Sequence, residues 1–114
     1  MSAQLLVVRI VGLAGRMAEL RELVADRAAA ARTEPGCAGY EVAELIDEPG
    51  TLLVVQTWDS ADALRAHFAS DAHATYQHGV DELLARPSEA LVHEVAATTR
   101  PAPSTSPTDP GRFG

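Results

Sequence analysis

The sequence predicts an α+β fold of the ferredoxin-like plan, in which four antiparallel strands carry two helices on one face. The first observation is the hydrophobic period, which alternates between strand-like and helical and gives the order strand, helix, strand, strand, helix, strand (βαββαβ). The second is that the runs LLVVRIV and TLLVV are apolar on both sides. Because two helices cover only one face of a sheet, we predict a homodimer packed sheet to sheet.

The first strand and the first helix are separated by glycines. Leu5 to Val11 is short and rich in β-branched residues, and Gly12 and Gly15 follow it. An amphipathic helix follows, and its apolar residues recur at steps of three and four: Met17, Leu20, Val24, Ala28 and Ala31. The segment Thr33-Glu34-Pro35-Gly36 ends this helix, because proline disfavours helical geometry in the residue before it.

A hairpin is predicted next. Cys37 to Ile46 alternates as a strand does, and Thr51 to Trp58 is a second run with strand character. Between them, Asp47-Glu48-Pro49-Gly50 places proline and glycine where a type II turn requires them.

The second helix carries two capping signals. Asp59 or Ser60 can cap its start, and Ser70-Asp71 is a second cap inside it. We therefore expect a helix that is broken or bent before it continues to about Ala85. Ala90 to Val95 is the predicted fourth strand.

The composition changes after the fourth strand. We expect a folded domain over residues 1–96 and a separate tail over 97–114, which contains four of the seven prolines. A segment of this kind is predicted to be disordered or to lie as an arm along the partner subunit.

Charge and cysteine content exclude several functions. The net charge is -7 and the basic residues are all arginines without a basic stripe, so no nucleic-acid binding is expected. Without lysine there is no Schiff-base chemistry. The single cysteine, Cys37, forms no intramolecular disulfide, and the N-terminus has no signal-peptide or membrane character. A cytoplasmic protein is expected.

Several short motifs occur in a defined order: Glu34-Pro35-Gly36-Cys37 with Tyr40-Glu41, then Gln56-Thr57-Trp58-Asp59-Ser60, then Ala63-Leu64-Arg65-Ala66-His67, and finally Tyr76. In these motifs the chain resembles the antibiotic biosynthesis monooxygenase family over about residues 4 to 95. The resemblance implies a dimeric α/β barrel with a pocket between sheet and helices in each subunit.

The resemblance also implies a range of activities. Members of this family include oxygenases that act on quinols or aromatic polyketides without metal or flavin, haem-degrading relatives, and proteins with no known activity. Val54 stands where the polyketide oxygenases have an asparagine. His67 and Gln77 stand where the haem-degrading relatives have a tryptophan and the iron-binding histidine. The quinol-oxidising branch fits the motifs best, and no cofactor is expected.

We expect His67 and Tyr76 to be catalytic. An imidazole with an ordinary pKa near 6.5 can deprotonate a phenol or quinol, and a tyrosine hydroxyl can donate to an oxyanion. Trp58 can stack on an aromatic ligand. The remaining predicted substrate-binding residues are Gln56, Tyr40, Val54, Leu64 and Phe68. Each also has a structural reading: Trp58 as core, His67 as a histidine hydrogen-bonded to a carboxylate such as Asp71, and the tyrosines as packed rings.

Other polar residues are weaker candidates. His73 and His78 rank behind His67. On a continuous helix, His67 and His78 would be roughly 16 Å apart, too far for one ion, so no metal site is predicted. Arg9 interrupts an apolar strand, where it either faces the pocket or, as the favoured reading, pairs with Glu41 or Glu44. Cys37 is expected to be an inert apolar residue.

These observations favour a cofactor-independent monooxygenase that oxidises a quinol or hydroxylated aromatic with dioxygen. The first alternative is a cyclase or isomerase that uses the same residues without oxygen. The second is a non-catalytic dimeric module whose cavity is filled by Val54, Leu53 and Phe68. An apolar pocket lining favours a hydrophobic or aromatic ligand over a sugar phosphate.

Overall fold

The computed structural model describes residues 2–103 and contains four strands and three helices. In chain order the elements are β1 (Ala3–Val11), α1 (Met17–Ala31), β2 (Cys37–Glu44), β3 (Thr51–Trp58), α2 (Ala61–Ala69), α3 (Asp71–Asp81) and β4 (Glu89–Val95).

The four strands form one antiparallel sheet in the order β2-β3-β1-β4. Alternate residues of β3, starting from Leu52, are buried beneath the helices, as expected for a strand that presents one face to a helical layer. The core between sheet and helices includes Leu20 and Val24 of α1, Tyr40 of β2 and Val80 of α3. The predicted ferredoxin-like fold class is confirmed.

The second helical segment is divided at Ser70, and the predicted break is confirmed. The hydroxyl of Ser60 accepts a hydrogen bond from the backbone N–H of Ala63 at 3.1 Å, which caps α2. The hydroxyl of Ser70 accepts from the backbone N–H of His73, also at 3.1 Å, and caps α3. Because each side chain satisfies an otherwise unpaired donor, two short helices form where one long one would leave Ser70 inside a helix.

Strand β2 of the β2–β3 hairpin is shorter than predicted. β2 ends at Glu44, two residues before Ile46, whose side chain is 99% exposed. Arg9 pairs across the sheet as favoured, but its partner is Glu48 in the hairpin turn. The predicted partners Glu41 and Glu44 were therefore wrong. Glu44 instead pairs with Arg21 of α1.

The face of the sheet opposite the helices carries partly exposed apolar side chains. Val7 of β1 pairs with Val55 of β3 and Leu91 of β4, so the three side chains form a row across this face. Leu5 and Leu53 flank the row. No helix of the described residues covers this face. The homodimer was predicted from the sequence because two helices can cover only one face of the sheet.

Beyond β4, residues 97–103 are exposed and have no helix or strand. The rest of the predicted tail lies outside the described residues. Within residues 2–103, no helix is long and apolar enough to cross a membrane.

Candidate functional site

A cleft lies between the sheet and the α2–α3 segment and opens beside β4. It encloses about 500 Å³, counting the part of its mouth that is open to solvent. Its floor is apolar and comes from Leu6, Val8 and Ile10 of β1 together with Val54 of β3. Phe68 of α2 forms part of the wall. An apolar floor of this kind suits a flat hydrophobic ligand.

Polar side chains enter this apolar cleft from both the sheet and the helical layer. The sheet contributes Tyr40 and Gln56, and α3 contributes His73, Tyr76 and Gln77. The three residues of α3 reach the cleft together because positions three and four apart share a helix face.

Trp58 orients one of these polar groups. Its indole N–H donates to the side-chain oxygen Oε1 of Gln56 at 3.0 Å, and the indole itself is fully buried. Since the oxygen of the Gln56 amide is engaged there, the amide nitrogen is the end of this side chain that can donate to a ligand.

The two tyrosines of the cleft remain protonated over a wide pH range. Burial raises the pKa of Tyr40 to about 12 and raises that of Tyr76 as well. Both hydroxyls are therefore hydrogen-bond donors at neutral pH, and a donor is what an oxyanion requires.

His73 is the imidazole that lines the cleft. Burial, with smaller contributions from His67 and Arg27, lowers its pKa to about 4. The ring is therefore neutral at pH 7. Its Nδ1 atom is buried and has no hydrogen-bond partner among the described residues.

Behind the cleft wall lies a buried charged cluster, formed by Arg27 of α1, Glu34 of the turn after α1 and His67 of α2. Arg27 Nη2 lies 3.2 Å from Glu34 Oε2 and 3.0 Å from His67 Nδ1. Glu34 Oε1 is also 3.0 Å from His67 Nδ1. The side chains of Arg27 and His67 are 5% and 0% exposed, whereas that of Glu34 is 23% exposed.

The turn after α1 brings Glu34 to His67. Gly36 has a φ of +80°, and a Cβ atom there would lie 2.5 Å from the Cβ of Ala63 on α2. Glycine thus permits both the turn and the close approach of α2. The Gly36 carbonyl accepts from the backbone N–H of Asp59 at 2.8 Å, which ties the turn to the end of β3.

His67 connects the charged cluster to the cleft residues. Its ring centroid is 4.6 Å from that of Trp58 and 4.8 Å from that of His73. Burial lowers the pKa of His67, opposed by the hydrogen bond and charge of Glu34. The Nε2 atom of His67 is buried and lacks a hydrogen-bond partner among residues 2–103.

The predicted site residues thus occupy two layers. Five of them line the cleft: Tyr40, Val54, Gln56, Phe68 and Tyr76. The other three lie behind it: Trp58 and Leu64 pack with Leu6 in the core, and His67 lies in the charged cluster. The carboxylate partner of His67 is Glu34, so the expectation that Asp71 would be its partner was wrong.

Three residues of the site were missed or ranked low from the sequence. Arg27 stands three residues after Val24 and seven after Leu20, so it lies on the buried stripe of α1. Glu34 belongs to the Glu-Pro-Gly-Cys motif and to the predicted helix stop, but neither of these assigns it a place in the site. His73 is three residues before Tyr76, which places both on one helix face.

Among the described residues, no group of three or more His, Cys, Asp or Glu side chains is arranged to hold a metal ion.

The model of the family described as antibiotic biosynthesis monooxygenase matches residues 4–79. A curated relative, an uncharacterized protein of Synechocystis, is 31% identical over 67 residues. That match covers 59% of this chain and 46% of the relative, so the chain spans less than half of that protein's length.

Solved structures agree with the family match. A candidate antibiotic biosynthesis monooxygenase from Deinococcus radiodurans has a TM-score of 0.81 and 25% identity, covering 85% of this chain and 96% of that one. A protein of Mycobacterium tuberculosis also has a TM-score of 0.81, with 27% identity over 87% of this chain and all of the other. The family model covers well over half of the sequence, and we conclude that the chain belongs to the antibiotic biosynthesis monooxygenase family.

Proposed function

We propose that this protein is a cofactor-independent monooxygenase that oxidises a quinol or hydroxylated aromatic compound with dioxygen. The observation that carries the proposal is the cleft itself, in which Tyr76, Gln56 and the neutral imidazole of His73 converge over an apolar floor. A hydroxylated aromatic ring matches both parts of this lining, because its face is apolar and its edge forms hydrogen bonds.

The reaction requires no redox group from the protein. A quinol and O2 give a hydroxyquinone and water: one oxygen atom enters the ring, the other leaves as water, and the substrate supplies all four electrons. Removal of a phenolic proton makes the ring electron-rich enough to reduce dioxygen. The protein contributes deprotonation, orientation and exclusion of water.

Each cleft residue then has a role in the proposal. His73 accepts the phenolic proton, and the hydroxyl of Tyr76 and the amide nitrogen of Gln56 donate to the resulting oxyanion. Tyr40 and Phe68 pack against the ring, with Val54 on the floor. Trp58 acts as a positioning residue for Gln56.

We also propose that the protein works as a homodimer through the open face of its sheet. The row of Val7, Val55 and Leu91 gives each subunit a self-complementary apolar patch, as a two-fold interface requires. Val7→Glu is expected to yield a monomer in sedimentation velocity, because a buried carboxylate would face its own copy. A monomeric native protein would contradict the proposal.

Oxygen consumption by the metal-stripped protein tests the enzymatic proposal. We expect uptake above the spontaneous rate for at least one member of a panel of quinols and anthrones. His73→Gln and Tyr76→Phe should each reduce kcat by tenfold or more, which is the usual loss for a base or an oxyanion donor.

His78→Gln is the matched control, because His78 is on the same helix with a side chain that is 84% exposed. It should leave uptake unchanged. Conversion of a panel compound without oxygen consumption would favour the cyclase or isomerase alternative. Absence of both uptake and conversion would contradict an enzymatic role.

A further inference from the structure

We propose that His67 and Glu34 carry the substrate's proton from the cleft to the protein surface, with His73 as the entry point. The inference rests on the proposed function, since it supplies an exit for the proton that deprotonation produces. His67 and Glu34 touch no ligand in this scheme and act through His73.

Two unpartnered nitrogens mark the first link. His67 Nε2 and His73 Nδ1 are both buried, and neither has a hydrogen-bond partner among the described residues. They belong to neighbouring rings whose centroids are 4.8 Å apart and whose planes are inclined by 54°. In the proposal, rotation of the His73 ring joins the two nitrogens, while His67 keeps its contacts at Nδ1. Buried polar nitrogens without partners are costly, which indicates a role beyond packing.

The two neighbours of His67 Nδ1 mark the second link. Glu34 Oε1 and Arg27 Nη2 each lie 3.0 Å from this atom. An ionised carboxylate only accepts and a guanidinium only donates, so Nδ1 bonds to Glu34 when it carries a proton and to Arg27 when it does not. Both tautomers of His67 are therefore satisfied at Nδ1, and interchange of these tautomers is what proton transfer through an imidazole requires.

Glu34 provides the exit. Its side chain is 23% exposed and lines a shallow surface groove together with Pro35, Gly36 and Asp62. His67 also lines this groove, and the groove shares no lining residue with the cleft. A proton that reaches Glu34 can therefore pass to solvent without returning through the ligand.

The transfer balances without a charged imidazole. The phenolic oxygen gives its proton to the cleft-facing nitrogen of His73, and His73 Nδ1 gives one to His67 Nε2. His67 Nδ1 then gives its proton to Glu34 Oε1. One O–H bond is lost at the substrate and one is formed at Glu34, and the negative charge moves from Glu34 to the substrate oxygen. Glu34 finally releases the proton to solvent.

The charged and titratable groups around this path are defined. Arg27 from α1 faces His67, Glu34 and the ring of Tyr76, its guanidinium carbon lying 5.9 Å from that ring. Tyr40 from β2 lies edge-on to His67, with centroids 6.3 Å apart. Arg27 keeps its charge throughout and both tyrosines stay protonated at neutral pH, so no other neighbour in this group exchanges protons.

The proposed proton relay runs from His73 through His67 to Glu34. The rate at which a bound phenol ionises tests this relay without relying on oxygen chemistry. 4-Nitrophenol would be mixed with the full-length protein in a stopped-flow instrument, and the absorbance of its phenolate followed, while calorimetry measures its affinity. Glu34→Gln preserves the size of the side chain and one acceptor oxygen, but it cannot take a proton. We expect ionisation to slow by tenfold or more at unchanged affinity, with Glu34→Asp partly restoring the rate.

Two further variants complete the test. Glu22→Gln alters an exposed carboxylate of α1 and should leave ionisation at the native rate. His67→Ala should be slow and should regain speed when free imidazole is added. If His67→Ala does not fold, the comparison of Glu34→Gln with Glu34→Asp still tests the relay.

Each outcome separates the relay from the proposed function. Native-rate ionisation in Glu34→Gln would overturn the relay, while oxygen uptake by the native protein would leave the proposed function standing. Slow ionisation in Glu34→Gln without any oxygen uptake would support the relay and overturn the oxygenase. No ionisation of 4-nitrophenol by the native protein would overturn the relay and the role of His73 as base.

Discussion

The cleft and the charged cluster behind it are built in opposite ways. The cleft floor is apolar and comes from alternate residues of adjacent strands, such as Leu6, Val8 and Val54. The cluster joins Arg27 and Glu34 to His67, and these residues come from three separate segments of the chain. We expect small changes to be tolerated better in the cleft than in the cluster, where each residue contacts the other two. The following predictions test that contrast.

The largest effect is expected from removing the cation of the cluster. Arg27→Met should lower the free energy of unfolding by about 3 kcal/mol, because it leaves the carboxylate of Glu34 partly buried beside a neutral imidazole. Urea denaturation at pH 7 measures the change. Some of the loss also reflects the contact between Arg27 and the Tyr76 ring.

Arg21→Met is the matched control for this prediction. Arg21 is on the same helix and pairs with Glu44 at 2.8 Å, but its side chain is 53% exposed. Its loss should cost much less than the loss of Arg27, because exposed ion pairs contribute little to stability. Equal costs for the two substitutions would show that burial of the cluster contributes nothing.

The second effect concerns access to the cleft. Ala90 is an exposed residue of β4 at the cleft mouth, so Ala90→Trp should obstruct entry without disturbing the core. We expect the affinity for 4-nitrophenol to fall at least thirtyfold, or about 2 kcal/mol, in calorimetry. Ala74→Trp, at an exposed position of α3 that does not line the cleft, should bind normally. Retained binding in Ala90→Trp would mean that the ligand enters elsewhere.

The same contrast explains what could be predicted from the sequence. The strands, the helices, the break at Ser70 and the strand face of Val54 and Gln56 follow local periods and capping signals, which operate between near neighbours in the chain. Five of the predicted site residues line the cleft, and the sequence places them on these strands and helices. The three-residue spacing of His73 and Tyr76 also places both on one face of α3, and this signal is present in the sequence.

The charged cluster could not be assembled from the sequence. Pairing Glu34 with His67 depends on the direction of the turn at Gly36 and on the distance between α1 and α2, and both are set by tertiary packing. A local partner such as Asp71, four residues from His67, is the natural choice when only spacing is known. Arg9 illustrates the same limit, since its partner Glu48 lies in a turn rather than on a neighbouring strand.

The smallest effect is the dependence of stability on pH, which probes His73, the cleft imidazole that lies against His67 of the cluster. The pKa of His73 is about 4 in the folded protein and near 6.5 in an unfolded chain. The unfolded state therefore binds a proton first as the pH falls, and stability that is fully present above pH 6.5 is lost between pH 6.5 and pH 4.

His73→Gln should reduce the loss of unfolding free energy between pH 7 and pH 5 by about 1 kcal/mol, an estimate lowered for partial solvent screening. Denaturation curves at both pH values measure this difference, and His78→Gln should retain the native slope because His78 is exposed. An unchanged slope in His73→Gln would show that the imidazole in the cleft is solvated like a surface histidine, and the buried region would then begin at His67.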